Sequence, residues 1–210
     1  GTMSYDAKRF ISKKTFLASM IFSGNAPVYQ GEDYIKGKIG EINFELCELN
    51  VKDYSKVRNR MVSIFGGIFM HATFNDKKMK GSVVIIPDDR RVRLSRSIKA
   101  FNRKGGREIL DGTLNRNFEL QFDSFVDKNA RIHLLLSSEM QDAMLNYHNK
   151  TGKYVYISFI KNEIYIAVSQ EKDILEPYIF RSNLSYDLIR EFYDDIDLLI
   201  SIVEDFDKNH

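Results

Sequence analysis

A catalytic centre in this chain would have to draw on four histidines, a few paired carboxylates and one cysteine. His71, His133, His148 and His210 form no H-x-x-x-H pair, and a single cysteine excludes C-x-x-C, so no structural zinc set is present. His71 and His133 fall in apolar runs read as strands, where a hydrogen-bonded histidine is the ordinary outcome. His148 falls late in an expected helix, where positive charge favours the C-terminal dipole. Asp88-Asp89 follow a strand end, a place where magnesium can be held, but Arg90 and Arg91 come next and make a salt-bridged turn the simpler reading. Glu191, Asp194 and Asp195 share a helical face at spacings of three and four and read as a solvated face. Cys47 has no basic neighbour to activate it and reads as a buried, inert thiol.

The phosphate-binding loops G-x-G-x-x-G and G-x-x-x-x-G-K-[ST] and the nucleophile elbow G-x-S-x-G are all missing. No cofactor and no metal is therefore expected. An enzyme remains as an alternative, hydrolase-like, with His71, His133 and Asp88 converging only in the fold.

Charge offers the one suggestive surface. From Lys77 to Arg107 eleven Lys and Arg face two Asp, a net of +9, whereas the residues from Glu171 onward carry −7. Lys77, Lys78, Lys80, Arg90, Arg91, Arg93, Arg96, Arg103, Lys104 and Arg107 are the candidate binding residues. They suit a protein partner or an anionic membrane surface, although such blocks more often neutralise each other. Phe101 alone interleaves aromatic character, and the pI is only about 8.5, which argues against nucleic acid.

These groups must be carried by elements the patterning reveals. A 210-residue chain with 43% apolar and 29% charged residues can bury its own core. It reads as a single α+β domain over 1–210, with possible sub-halves at about 1–107 and 108–210. Phe10, Leu17, Met20 and Ile21 predict an amphipathic helix from Asp6 to Ser23. Strict alternation at Ile42, Phe44 and Leu46 predicts a strand, joined through Gly40-Glu41 to another at Tyr34–Ile39. Met61–Phe74, with a bulge at Gly66-Gly67, and Gly81–Pro87 extend this into an antiparallel meander.

Leu94, Ile98 and Phe101 mark a basic helix. Strands are expected at Phe118–Phe122 and Arg131–Leu136, then a middle helix opened by a Ser138-x-x-Gln141 capping box and closed at Gly152. Lys153–Ile160 and Ile164–Ser169 form a hairpin across Lys161-Asn162-Glu163. Ser185 opens a C-terminal amphipathic helix packed on the sheet, with Leu188, Phe192, Ile196, Leu199, Ile200, Val203 and Phe206 inward. Gly1-Thr2-Met3 begins no signal-peptide pattern, and no apolar run reaches the roughly 20 residues that span a bilayer.

The stretches GEDYIKGKIGEINFELCEL, IFGGIFMHATF, GSVVIIPD, FELQFDSFVDKNARIHLLLSSEM, YVYISFIKNEIYIAV and LEPYIF resemble a bacterial family of unknown function, numbered three-one-three-seven, over about Phe16 to Phe206. The resemblance implies a bacterial protein whose relatives often carry membrane-spanning segments ahead of this domain, and it supplies no catalytic residue. The resulting expectation is a non-catalytic interaction domain, cytoplasmic and anchored through a segment outside this sequence.

Overall fold

Alternating apolar residues need two packed layers, and this sheet is covered on both faces. The computed structural model describes residues 3–74, 81–169, 195 and 197–205. Nine strands form one open antiparallel sheet: β1 (Ser4–Asp6), β2 (Val28–Ile39), β3 (Ile42–Ser55), β4 (Arg60–Thr73), β5 (Ser82–Pro87), β6 (Gly106–Glu108), β7 (Phe122–Asp127), β8 (Tyr154–Ile160) and β9 (Glu163–Ser169). Their order is β1-β2-β3-β4-β9-β8-β5-β7-β6. The class is α+β, and β2, β3 and β4 are three strands of the expected meander. After β4 the chain departs from it: β9 takes the place beside β4, and β5 lies between β8 and β7.

One face carries Leu46, Met70, Ile85, Ile157 and Ile166 under α3 (Arg116–Glu119), α4 (Ile132–Leu135), α5 (Ser138–Thr151) and a helical stretch at 197–205. In that last stretch Leu198, Leu199, Ile202 and Val203 are buried; Ser185, Leu188, Phe192, Ile196 and Phe206 lie outside the described residues. The opposite face carries Cys47, Leu49, Phe65, Phe69 and Tyr156 under α1 (Lys13–Ala18) and α2 (Ser95–Arg103). Phe16 of α1 is fully buried, with ring centroids 4.9 Å from Phe22 and 5.0 Å from Phe69. Removing such a ring from water contributes about 2–3 kcal/mol.

Several expectations are corrected by local hydrogen bonding. Helix α1 begins only at Lys13, because the Ser12 hydroxyl accepts from the Thr15 amide, and Ser4–Asp6 is instead an edge strand. Phe118 belongs to a helical turn, not a strand: the Glu119 carboxylate accepts the Gly112 and Leu114 amides at 2.8 Å and folds the chain back. Phe118 is buried while Leu120 is exposed, so the two do not share a face. Ile132–Leu135 is likewise helical, following a turn in which Asp127 accepts the Asn129 and Ala130 amides. The cap of α5 is Ser137, one residue before the expected Ser138, whereas Gly152 takes the left-handed φ of 69° as expected. The extra residue in β4 is Ile64, since the register shifts between Val51 and Lys52.

Gly67 has a different duty: its φ is +148°, and a Cβ there would lie 2.1 Å from the Val168 carbonyl oxygen of β9. Gly67→Ala therefore strains the backbone and pushes β9 away; we expect a loss of about 2 kcal/mol or more in urea denaturation.

Candidate binding surfaces

The basic segment after β5 does not present its charges as a free row. Asp88–Arg90 form a 3₁₀ turn. Arg90 lies over the Tyr154 ring at 3.7 Å and 3.6 Å from Asp89, whose other oxygen accepts from the Tyr154 hydroxyl. Arg91 grips Glu108 with two bonds of 2.6 and 2.7 Å and reaches Asp123 at 3.3 Å. The Arg91 hydrogen bond holds Glu108 below the usual carboxylate range and raises the guanidinium's own value, whereas burial outweighs Arg91 at Asp123 and raises it. Arg96 reaches Asp53 of β3 at 3.6 Å, and Arg103 donates to the Lys99 carbonyl. Arg93 and Lys104 are exposed; Lys77, Lys78 and Lys80 lie outside the described residues.

Arg107 stands apart from these. It lies on the edge strand β6, beside an open cleft of about 430 Å³ floored by Ile109, Val126, Ala130 and Ile132. Leu110 and Leu134 form its apolar lip, 73% and 54% exposed, and Arg131 and His133 complete the rim. Neither Arg107 nor Arg131 has an ion-pair partner among the described residues. Sequence reasoning singled out Arg107 and missed Arg131, because only the turn at Asp127–Ala130 brings the two together.

The other described histidines and the cysteine do not line that cleft. His71 Nδ1 donates to Glu45 at 2.9 Å, and Nε2 faces Glu163 at 3.4 Å without hydrogen-bond alignment. The ring stacks on Tyr165, whose hydroxyl donates to Glu163, while Tyr34 donates to Glu45. The His71 hydrogen bond lowers the Glu45 pKa, and burial lifts Tyr34 to about 12. This row crosses β2, β3, β4 and β9 on the α1–α2 face. His133 follows β7 in α4, whose Ile132 and Leu135 pack on the other face, and the cleft it lines takes in neither His71 nor Asp88. His148 Nδ1 donates to the Lys153 carbonyl at 2.7 Å. Burial pushes the Cys47 thiol up to about 12, consistent with an inert group.

Two acidic features depart from expectation. Asp195 is buried rather than solvated: Lys153 Nζ meets both its oxygens at 2.8 and 2.7 Å, and Tyr147 donates to it as well. Glu191 and Asp194 lie outside the described residues. At the irregularity in β2, Glu32 and Asp33 join Glu48 of β3, with one oxygen from each within 4.8 Å of the others. That is the one described carboxylate group close enough to share a cation.

Removing one partner of the Lys153–Asp195 pair strands a buried charge. Lys153→Met is expected to cost about 3–5 kcal/mol, and Lys153→Met with Asp195→Leu far less, as a double-variant denaturation cycle will show. The Glu48 pKa is raised, by burial and then by Glu32 and Asp33, so its ionisation opposes folding. That penalty is full above the folded pKa and vanishes below the unfolded value of 4.5. Glu48→Gln is expected to raise Tm at pH 7, with the gain fading as pH falls toward 4.5.

Comparison with known proteins adds one result. No curated protein and no solved structure matches the chain. A family model described as "Protein of unknown function (DUF3137)" matches residues 63–208, starting within β4, taking in the cleft and leaving the β2–β3 hairpin outside. That span is well over half of the 210 residues, and the chain belongs to this family.

Proposed function

We propose that this chain is a non-catalytic interaction domain, the cytoplasmic part of a bacterial membrane-associated protein, and that the cleft beside β6 receives an acidic, leucine-rich segment of a protein partner. The observation that carries the reading is the pairing of an apolar floor with two guanidiniums that lack ion-pair partners among the described residues. An apolar floor of this size takes one or two aliphatic side chains, and a carboxylate then reaches Arg107 or Arg131 for a bidentate contact. Among the described residues the cleft supplies no pair of groups for proton transfer: His133 is the one histidine that lines it, and no described carboxylate does. The single buried Cys47 thiol suits a reducing compartment. Membrane association follows from the relatives that the resemblance implies.

A fluorescein-labelled pentapeptide alternating leucine with aspartate tests the cleft by anisotropy. Saturable binding is expected, weakened about tenfold or more by Arg107→Glu with Arg131→Glu, and also by Leu134→Asp. These side chains are at the surface, so circular dichroism should be unchanged. Equal binding by the arginine variant would overturn the reading.

A further inference from the structure

The β3–β4 hairpin reaches beyond the partner strands described on either side. Among the described residues β4 pairs with β9 from Gly67 to Thr73, and β2 follows β3 as far as Lys52. Seven residues of β4, from Arg60 to Gly66, extend past the last described β9 partner, about 23 Å at 3.3 Å per residue. The base of this arm is held by Phe65 beneath Phe16 and Phe22. Its tip is not held by the core. Val57 is 97% exposed, and Tyr54 and Met61, paired across the ladder, are 47% and 39% exposed.

The tip is nonetheless ordered. The Arg58 amide donates to the Ser55 hydroxyl, Tyr54 donates to the Asn59 side chain, and Asn59 takes a φ of +51°. Charge around it has one sign. Lys52, Lys56, Arg58 and Arg60 face only Asp53 between Val51 and Met61, and Asp53 is engaged by Arg96. None of the four has an ion-pair partner among the described residues. Val92, 84% exposed, lies one turn before Arg96 and so on the same end of the sheet.

We infer that this arm docks on a bilayer surface rich in acidic headgroups, with Val57, Tyr54 and Met61 entering the interface and the cations meeting phosphates and carboxylates. A convex tip with aliphatic and aromatic groups inside a basic collar fits a lipid interface, where tyrosine is favoured and each cation adds attraction. A preformed turn lowers the ordering cost of docking. The inference concerns a surface distant from the cleft, and Arg107 and Arg131 are unchanged in every arm variant, so failure of either reading leaves the other standing.

The chain has no tryptophan, so Val57→Trp places a single reporter at the tip. Phosphatidylcholine vesicles containing roughly 30% phosphatidylserine should shift its emission to the blue and co-sediment the unmodified chain. Binding should fall about tenfold or more in Lys56→Glu/Arg58→Glu/Arg60→Glu and at high salt, while Arg107→Glu/Arg131→Glu binds as the unmodified chain does. Absence of sedimentation, or equal sedimentation of the triple variant, overturns the inference. A blue shift that appears without vesicles and grows with protein concentration also overturns it, by assigning the tip to a second copy of this chain.

Discussion

The antiparallel contact between β4 and β9 is the join on which the rest of the structure depends. It connects the four-stranded meander to the five strands beyond, and it runs for seven residue pairs among the described residues. At its end Gly67 passes so close to the Val168 carbonyl that no side chain fits. Both strands are buried on both faces, by Phe69 and Tyr165 on one and by Met70 and Ile166 on the other. Moving the register by one residue would exchange those two sets, so two packed layers fix a pairing that hydrogen bonds alone would leave free to slip.

The same limit explains where polar chemistry ends up. A sheet covered twice leaves little room for charge inside, and the two buried charges among the described residues, Lys153 and Asp195, are paired. Asp195 comes with Lys153 and a tyrosine hydroxyl, and the Glu45–His71 row sits at the margin of the α1–α2 layer with tyrosines on either side. Such groups hold elements in place: the first ties the C-terminal helical stretch to the start of β8, and the second links adjacent strands. Among the described residues, the layers leave uncovered the edge at β6 and the tip of the β3–β4 hairpin.

The sequence made some of this legible. Alternation at Ile42, Phe44 and Leu46 and the turn at Lys161-Asn162 are local signals, and both hairpins formed where they pointed. Phe118–Phe122 alternates just as well and Arg131–Leu136 is as apolar, but Phe118 and Ile132–Leu135 fold as helical turns, and only Phe122 opens a strand. The deciding contacts come from outside those windows or from single side chains: Glu119 on the Gly112 and Leu114 amides, and Gln141 accepting the Asn115 amide and donating to the Leu136 carbonyl. The position of β5 between β8 and β7 carries no local mark at all. Of the binding residues, Arg107 was visible as charge; Arg131 and the tip at Val57 were not, because the first needs the turn after β7 and the second depends on the β3–β4 ladder running on to Ser55 and Arg60.

Charge balance follows from that geometry more than from composition. A net charge of +2 conceals a basic segment in which Arg90, Arg91 and Arg96 are each opposed by an acid, two of them from distant strands. Counting Lys and Arg along the chain therefore overstates the field of residues 88–107 and understates that of residues 52–60, where four cations meet one acid that already has a partner. Exposed opposed pairs add little stability, but they cancel long-range attraction. Cations at the hairpin tip without a described ion-pair partner keep theirs.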